Sequence, residues 1–183
     1  MDQPIELSQR AVELFHHSID NCMQSIEPLA GPIGEASMRL VQCLLSDHKI
    51  LTAGDGNSGL IAQQFSTNML NHFGYERPGL PAINLSADAA TLTGIACDSS
   101  YSDIYAKQIR ALGHDGDVLL LAYQGAGSGT TLRCIQAAHE RGMDVITLCN
   151  QEGGEAAALL DHDDIEIQVP SSNNARVTEI HLL

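Results

Sequence analysis

Apolar residues near the amino end recur at intervals of three and four, at Leu7, Ala11, Leu14, Phe15, Ile19, Cys22, Met23 and Ile26, the period of one helical face. This spacing predicts a long amphipathic helix from Ile5 to about Leu29. Pro28, Gly31 and Pro32 punctuate it, since proline removes a backbone donor and glycine loosens the chain. A second helix is expected from about Ile33 to Leu45, with Met38, Val41, Leu44 and Leu45 as its stripe. Two helices therefore precede the first strand, and their stripes are too long to bury on one small domain.

Beyond Leu45 the period changes. Short β-rich runs at Lys49–Ala53, Ala82–Leu85, Asp117–Ala122, Asp144–Cys149 and Asp164–Val169 alternate with helix-period segments. Strands with nearly continuous apolar faces are covered on both sides, which predicts an α/β protein: a three-layer α/β/α sandwich around a five-stranded parallel sheet. Residues 1–46 read as a helical oligomerisation segment and residues 47–183 as the α/β unit, together one domain. Parallel sheets bind ligands in the loops beyond the strands' carboxyl ends, which singles out Gly54–Ser58 and Tyr123–Ser128. A last helix opens near Asn174 and has barely completed about three turns at Leu183, so it reads as continuing further.

Composition narrows the class. The chain has 183 residues, 44% of them apolar, enough for one domain with a buried core. No apolar run approaches the roughly eighteen residues of a membrane span. Asp2, Glu6, Glu13 and Asp20 are foreign to a signal peptide; the expectation is a cytoplasmic protein without membrane contact. A formal net charge of −14, with nine Lys and Arg in all, repels nucleic-acid phosphates, so any link to DNA should run through another protein. The five cysteines form no C-x-x-C pair and are expected as buried, reduced thiols.

Gly54–Asp55–Gly56–Asn57–Ser58–Gly59 follows a predicted strand and opens a predicted helix, so its backbone N–H groups and the helix dipole form an anion site. It also fits G-x-G-x-x-G. A dinucleotide site, however, wants an acid about twenty residues on, and the nearest candidate, Asp88, lies 29 residues after Gly59. The Ser58 hydroxyl suits a phosphate and would serve equally as a helix cap. A second loop, with Gly125, Ala126, Gly127, Ser128 and Gly129, again exposes amides at a helix start, and two such loops at one sheet edge point to a shared anionic ligand. His16–His17 and His162–Asp163–Asp164 read as solvated surface. Without a G-x-S-x-G elbow, Ser128 and Asp98 do not make a hydrolase triad.

The course Lys49–Ile50–Leu51 through Gly54-x-Gly56-x-Ser58, then Glu76–Arg77–Pro78-x-Leu80–Pro81–Ala82, Ile95–Ala96-x-Asp98, Lys107–Gln108–Ile109–Arg110–Ala111–Leu112–Gly113 and Gly116–Asp117–Val118–Leu119–Leu120 resembles the phosphoheptose isomerase branch of the sugar isomerase (SIS) family. Within that branch the DnaA initiator-associating proteins and the sedoheptulose 7-phosphate isomerases look most similar. The resemblance implies the SIS fold, a homotetramer, and a phosphosugar site at Gly54, Asp55, Gly56, Asn57, Ser58, Asp98, Tyr123, Gln124, Gly125 and Ser128. It also implies that the isomerases' metal-binding His falls on Gln64, their acid-base Glu on Asn68 and a further Gln on Thr178, while their last catalytic His lies beyond Leu183. His181 matches a different family histidine.

An amide neither exchanges a proton near neutral pH nor binds zinc well. The resemblance and these replacements together lead to the expectation of a non-catalytic sugar-phosphate-binding protein, without cofactor, that assembles the replication initiator DnaA. The alternative is a sedoheptulose 7-phosphate isomerase of lipopolysaccharide heptose synthesis, for which zinc would be the metal. A third reading is a sugar-phosphate sensor with Ser58 and Ser128 as the remaining hydroxyl donors.

Overall fold

Leu7–Leu45 forms one uninterrupted helix of 39 residues, α1, where Pro28, Gly31 and Pro32 led to the expectation of two. The computed structural model describes residues 6–183, so the predicted start at Ile5, like Asp2, lies outside the described residues. Tertiary burial explains the difference. Ser25, Leu29, Ala36 and Cys43 share one face of α1 and are buried, with Leu29, Ala36 and Cys43 packing on the sheet. Pro28 and Pro32 stand four apart inside the helix, so their missing donors interrupt consecutive links of a single hydrogen-bonded row. That cost, about 3 kcal/mol or more for each proline, is offset by the apolar contacts on either side.

The predicted sheet is present. Strands β1 (Ile50–Gly54), β2 (Ala82–Asn84), β3 (Val118–Ala122), β4 (Asp144–Asn150) and β5 (Ile165–Val169) are all parallel, in the order β2-β1-β3-β4-β5. Alternation along the strands divides the core into two layers. Ile50, Val118, Leu120 and Ile146 face one layer, with α1, α2 (Asn57–Leu70) and α7 (Asn174–Leu182). Leu51, Ala53, Leu119, Leu121 and Val145 face the other, formed by α3 (Ala89–Asp98), α4 (Ala106–Leu112), α5 (Gly129–Glu140) and α6 (Gly154–Ala157). Arg77 ends α2 by donating to the carbonyls of Asn68 and Met69, which the helix itself leaves without donors.

The thiol expectation needs correction at two positions. All five cysteines are free, but only Cys43, Cys134 and Cys149 are buried; Cys22 is half-buried and Cys97 is exposed on α3. Asp164 also departs from the expected solvated turn. Its side chain is nearly inaccessible, and it accepts hydrogen bonds from the backbone N–H groups of Val145 and Asp161 while pairing with His139. The carboxylate thereby ties the approach to β5 onto the start of β4. His16, His17 and His162 are exposed. No described helix is long and apolar enough to cross a membrane.

Candidate functional site

The strand order decides where a ligand can enter. After β1 the chain moves outward to β2, then returns across β1 to place β3 on its other side. Crossovers thus leave in opposite directions at the β1/β3 boundary, and a crevice opens beyond the carboxyl ends of these two strands. Both glycine loops lie there. Gly54 is in register with Ala122, so the Gly54–Ser58 and Tyr123–Ser128 loops start side by side, each leading into the amino end of a helix.

Backbone geometry explains two of the glycines. A Cβ at Gly54 would meet the Ser58 carbonyl carbon and oxygen at 2.7 Å and the Ala122 oxygen at 2.8 Å, so only glycine permits the first loop to fold back tightly. Gly127 has φ +86°, and a Cβ there would lie 2.8 Å from the Ala156 methyl. Gly56 and Asn57 are exposed at the rim. Ser58 is buried near the start of α2, with no side-chain hydrogen bond among the described residues.

The structure joins the two loops through side chains. Ser128 Oγ donates to Asp55 Oδ2 at 2.9 Å; it also accepts from the Thr131 amide, within a capping box that starts α5. The other carboxylate oxygen, Asp55 Oδ1, is buried without a hydrogen-bond partner among the described residues. Tyr105 supports the first loop from below: its hydroxyl donates to the Gly54 carbonyl at 2.9 Å and meets Ser86 Oγ at 3.1 Å. Burial pushes this phenol's pKa up, so it remains a donor. Tyr105 was missed in the sequence because no motif marks it: it stands at the N-cap of α4, 51 positions after the glycine whose carbonyl it binds.

The other predicted ligand residues contribute differently. Tyr123 points into the core, 4% exposed, with its hydroxyl unpartnered; burial and neighbouring Cys149 push its pKa up. It is therefore a core residue, because alternation at the end of β3 turns it inward. Gln124 does not face a ligand freely either: its amide donates to Thr178 Oγ1 at 2.8 Å, which ties the second loop to α7. Asp98, the last residue of α3, is exposed and takes no part in the hydrogen bonds between the loops. Gly125 holds φ +68° in the second loop. Asp88, the acid weighed for a dinucleotide, caps α3 by accepting from the Ala90 and Thr91 amides.

Gln64 and Asn68 line a cavity of about 540 Å³ between α1, α2, α7 and the sheet. Its walls are largely apolar, and the loops at the crevice do not contribute to it. His181, set aside on sequence grounds, lines the same cavity. Burial lowers its pKa, opposed by a contact of Nε2 with the Cys149 carbonyl at 3.3 Å, and Nδ1 has no partner. A zinc-type ion wants three or four thiolate, imidazole or carboxylate ligands. Gln64, Asn68 and Thr178 supply neutral amide and hydroxyl groups instead, so with one imidazole nearby this donor set does not fit the metal. The described His, Asp and Glu side chains that do converge are His139, Asp161 and Asp164, at the amino ends of β4 and β5.

Comparison with known proteins agrees with this architecture. The SIS domain family matches residues 14–150. Phosphoheptose isomerases of Chromohalobacter salexigens and Coxiella burnetii are each 46% identical over 179 residues; that is 98% of this chain and 91% and 90% of the respective relatives. Among solved structures, the phosphoheptose isomerase of Francisella tularensis superposes with a TM-score of 0.94 at 38% identity, covering 97% of this chain and 93% of its own. That of Neisseria gonorrhoeae gives 0.90 at 36%, with the same coverage. With the parallel sheet, its paired glycine loops and near-complete overlap in view, the chain belongs to the SIS-domain phosphoheptose isomerase family.

Proposed function

We propose that this protein binds a sugar phosphate of the sedoheptulose 7-phosphate class in the crevice beyond β1 and β3. The observation that carries this reading is the side-by-side opening of two glycine loops at the amino ends of α2 and α5, where exposed amides favour an anion. The names of the relatives favour an isomerase over the initiator-assembly role expected from the sequence. Isomerisation requires a proton to move between adjacent carbons, and general acid-base groups contribute about 10²–10⁴ in rate. Gln64 and Asn68 cannot supply this, and His181 is the imidazole that shares their cavity.

The two amides keep a second reading in play, a non-catalytic binding protein of the DnaA initiator-associating type. A coupled assay for aldose formation from sedoheptulose 7-phosphate separates the readings. Turnover well above background, lost in His181→Ala, supports the isomerase. Absence of turnover with retained ligand binding, together with capture of the organism's initiator, supports the second reading; absence of both turnover and sugar-phosphate binding overturns the site.

We further infer assembly into a cytoplasmic homotetramer through α1. Leu7 is 81% and Phe15 71% exposed, and with Leu14, Ile19 and Met23 they form an apolar stripe left uncovered among the described residues. A surface of this kind marks an interface. Light scattering at micromolar concentration is expected to return four chains, and Phe15→Glu with Ile19→Glu is expected to give smaller species.

A further inference from the structure

We propose that Asp55 is a specificity-determining residue whose carboxylate stands where a ligand anion would otherwise sit, so that the crevice discriminates against doubly charged phosphate esters. This rests on the sugar-phosphate reading above and asks how strongly the site accepts such a ligand. The amino ends of α2 and α5 converge on the crevice, and each favours one nearby negative charge. Asp55 already provides it from within the protein.

The hydrogen bonds make the substitution specific. A serine hydroxyl has one proton to donate, and that of Ser128 goes to Asp55 Oδ2 at 2.9 Å. Its oxygen meanwhile accepts from the Thr131 amide. Ser128 therefore has no donor left for a phosphate oxygen while this bond stands. Asp55 Oδ1, buried and unpartnered, can only accept, so it offers nothing to an incoming phosphate and repels it. The same carboxylate also raises the pKa of the exposed Tyr101 hydroxyl. A phosphate must displace the Asp55–Ser128 bond and tolerate the charge beside it. An asparagine in the same place would remove the charge and present a donor.

Calorimetric titration of the full chain and of Asp55→Asn with sedoheptulose 7-phosphate and with unphosphorylated sedoheptulose tests this. The expected result is at least tenfold tighter binding of the phosphate ester by Asp55→Asn, without a comparable gain for the unphosphorylated sugar. Asp55→Ser, which also removes the charge, is a second variant should the first fold poorly, and thermal melting checks both. Equal affinity of wild type and a folded variant for the phosphate ester overturns the proposal and leaves the sugar-phosphate reading intact. An equal gain for both sugars also overturns it. Failure of every protein to bind the ester at millimolar concentration overturns the site reading and this proposal with it.

Discussion

Gly54→Ala is expected to abolish sugar-phosphate binding, lowering affinity more than a hundredfold, and to lower the melting temperature as well. The added methyl would press on the Ser58 carbonyl group and on the Ala122 carbonyl oxygen at 2.7–2.8 Å. All of these are backbone atoms, so no side chain can rotate away. Overpacking of a well-ordered site costs about 1–3 kcal/mol, or a fall in Tm of roughly 2–12 °C for a domain of this size. The larger effect is on the site. Relief of the clash pushes β1 away from β3 at the point where the loops start together, spreading the two helix amino ends that frame the crevice. Calorimetric titration and a melting curve measured on the same preparation check both parts; unchanged affinity would show that the crevice is not the binding site.

At the opposite edge of the sheet, Asp117→Ala is expected to cost about 3–5 kcal/mol, the usual penalty for removing one member of a buried ion pair. Asp117 is 2% exposed in its side chain and pairs with the Lys49 ammonium. It also accepts from the Lys49 amide at 3.0 Å and the His114 amide at 2.8 Å, fastening the entry of β1 to that of β3. Burial alone would raise the carboxyl's pKa. The Lys49 side chain and the two amides outweigh this and hold it below the ordinary value. A carboxyl with its folded pKa depressed stabilises the fold above its unfolded pKa, about 3.9, and loses that contribution as pH falls through the folded value. Urea midpoints of wild type and Asp117→Asn, at one protein concentration, should therefore differ at pH 7 and converge below about pH 4. A constant gap across that range would contradict the charged role of Asp117.

Some elements could be read from local pattern alone. The β-rich runs at Lys49–Ala53 and Asp117–Ala122 became β1 and β3 to within a residue, because a central strand of a parallel sheet needs apolar residues on both faces and so leaves a dense signal. The two glycine loops were legible for a similar reason: a tight return to a helix start demands glycine. The same local rules misread α1. Prolines at 28 and 32 are strong breakers in isolation, yet Leu29, Ala36 and Cys43 on the adjoining face reach a sheet whose last strands come more than 100 residues later.

The family resemblance carried by Gly54 to Ser58 and by Glu76–Arg77–Pro78 was likewise present in the sequence, as was the amide character of Gln64 and Asn68. Composition and short-range periodicity determined the α/β class, the number of strands, the acidic charge and the chemical types available to the site. Only the tertiary structure decided which of those groups meet. It set the strand order that opens the β1/β3 crevice, turned Tyr123 inward, committed Gln124 to Thr178, brought Tyr105 beneath Gly54 and paired Asp55 with Ser128 across 73 positions. Periodicity reports which face of an element is apolar; which element that face meets, and which polar groups converge as a result, depends on long-range packing that no local window contains.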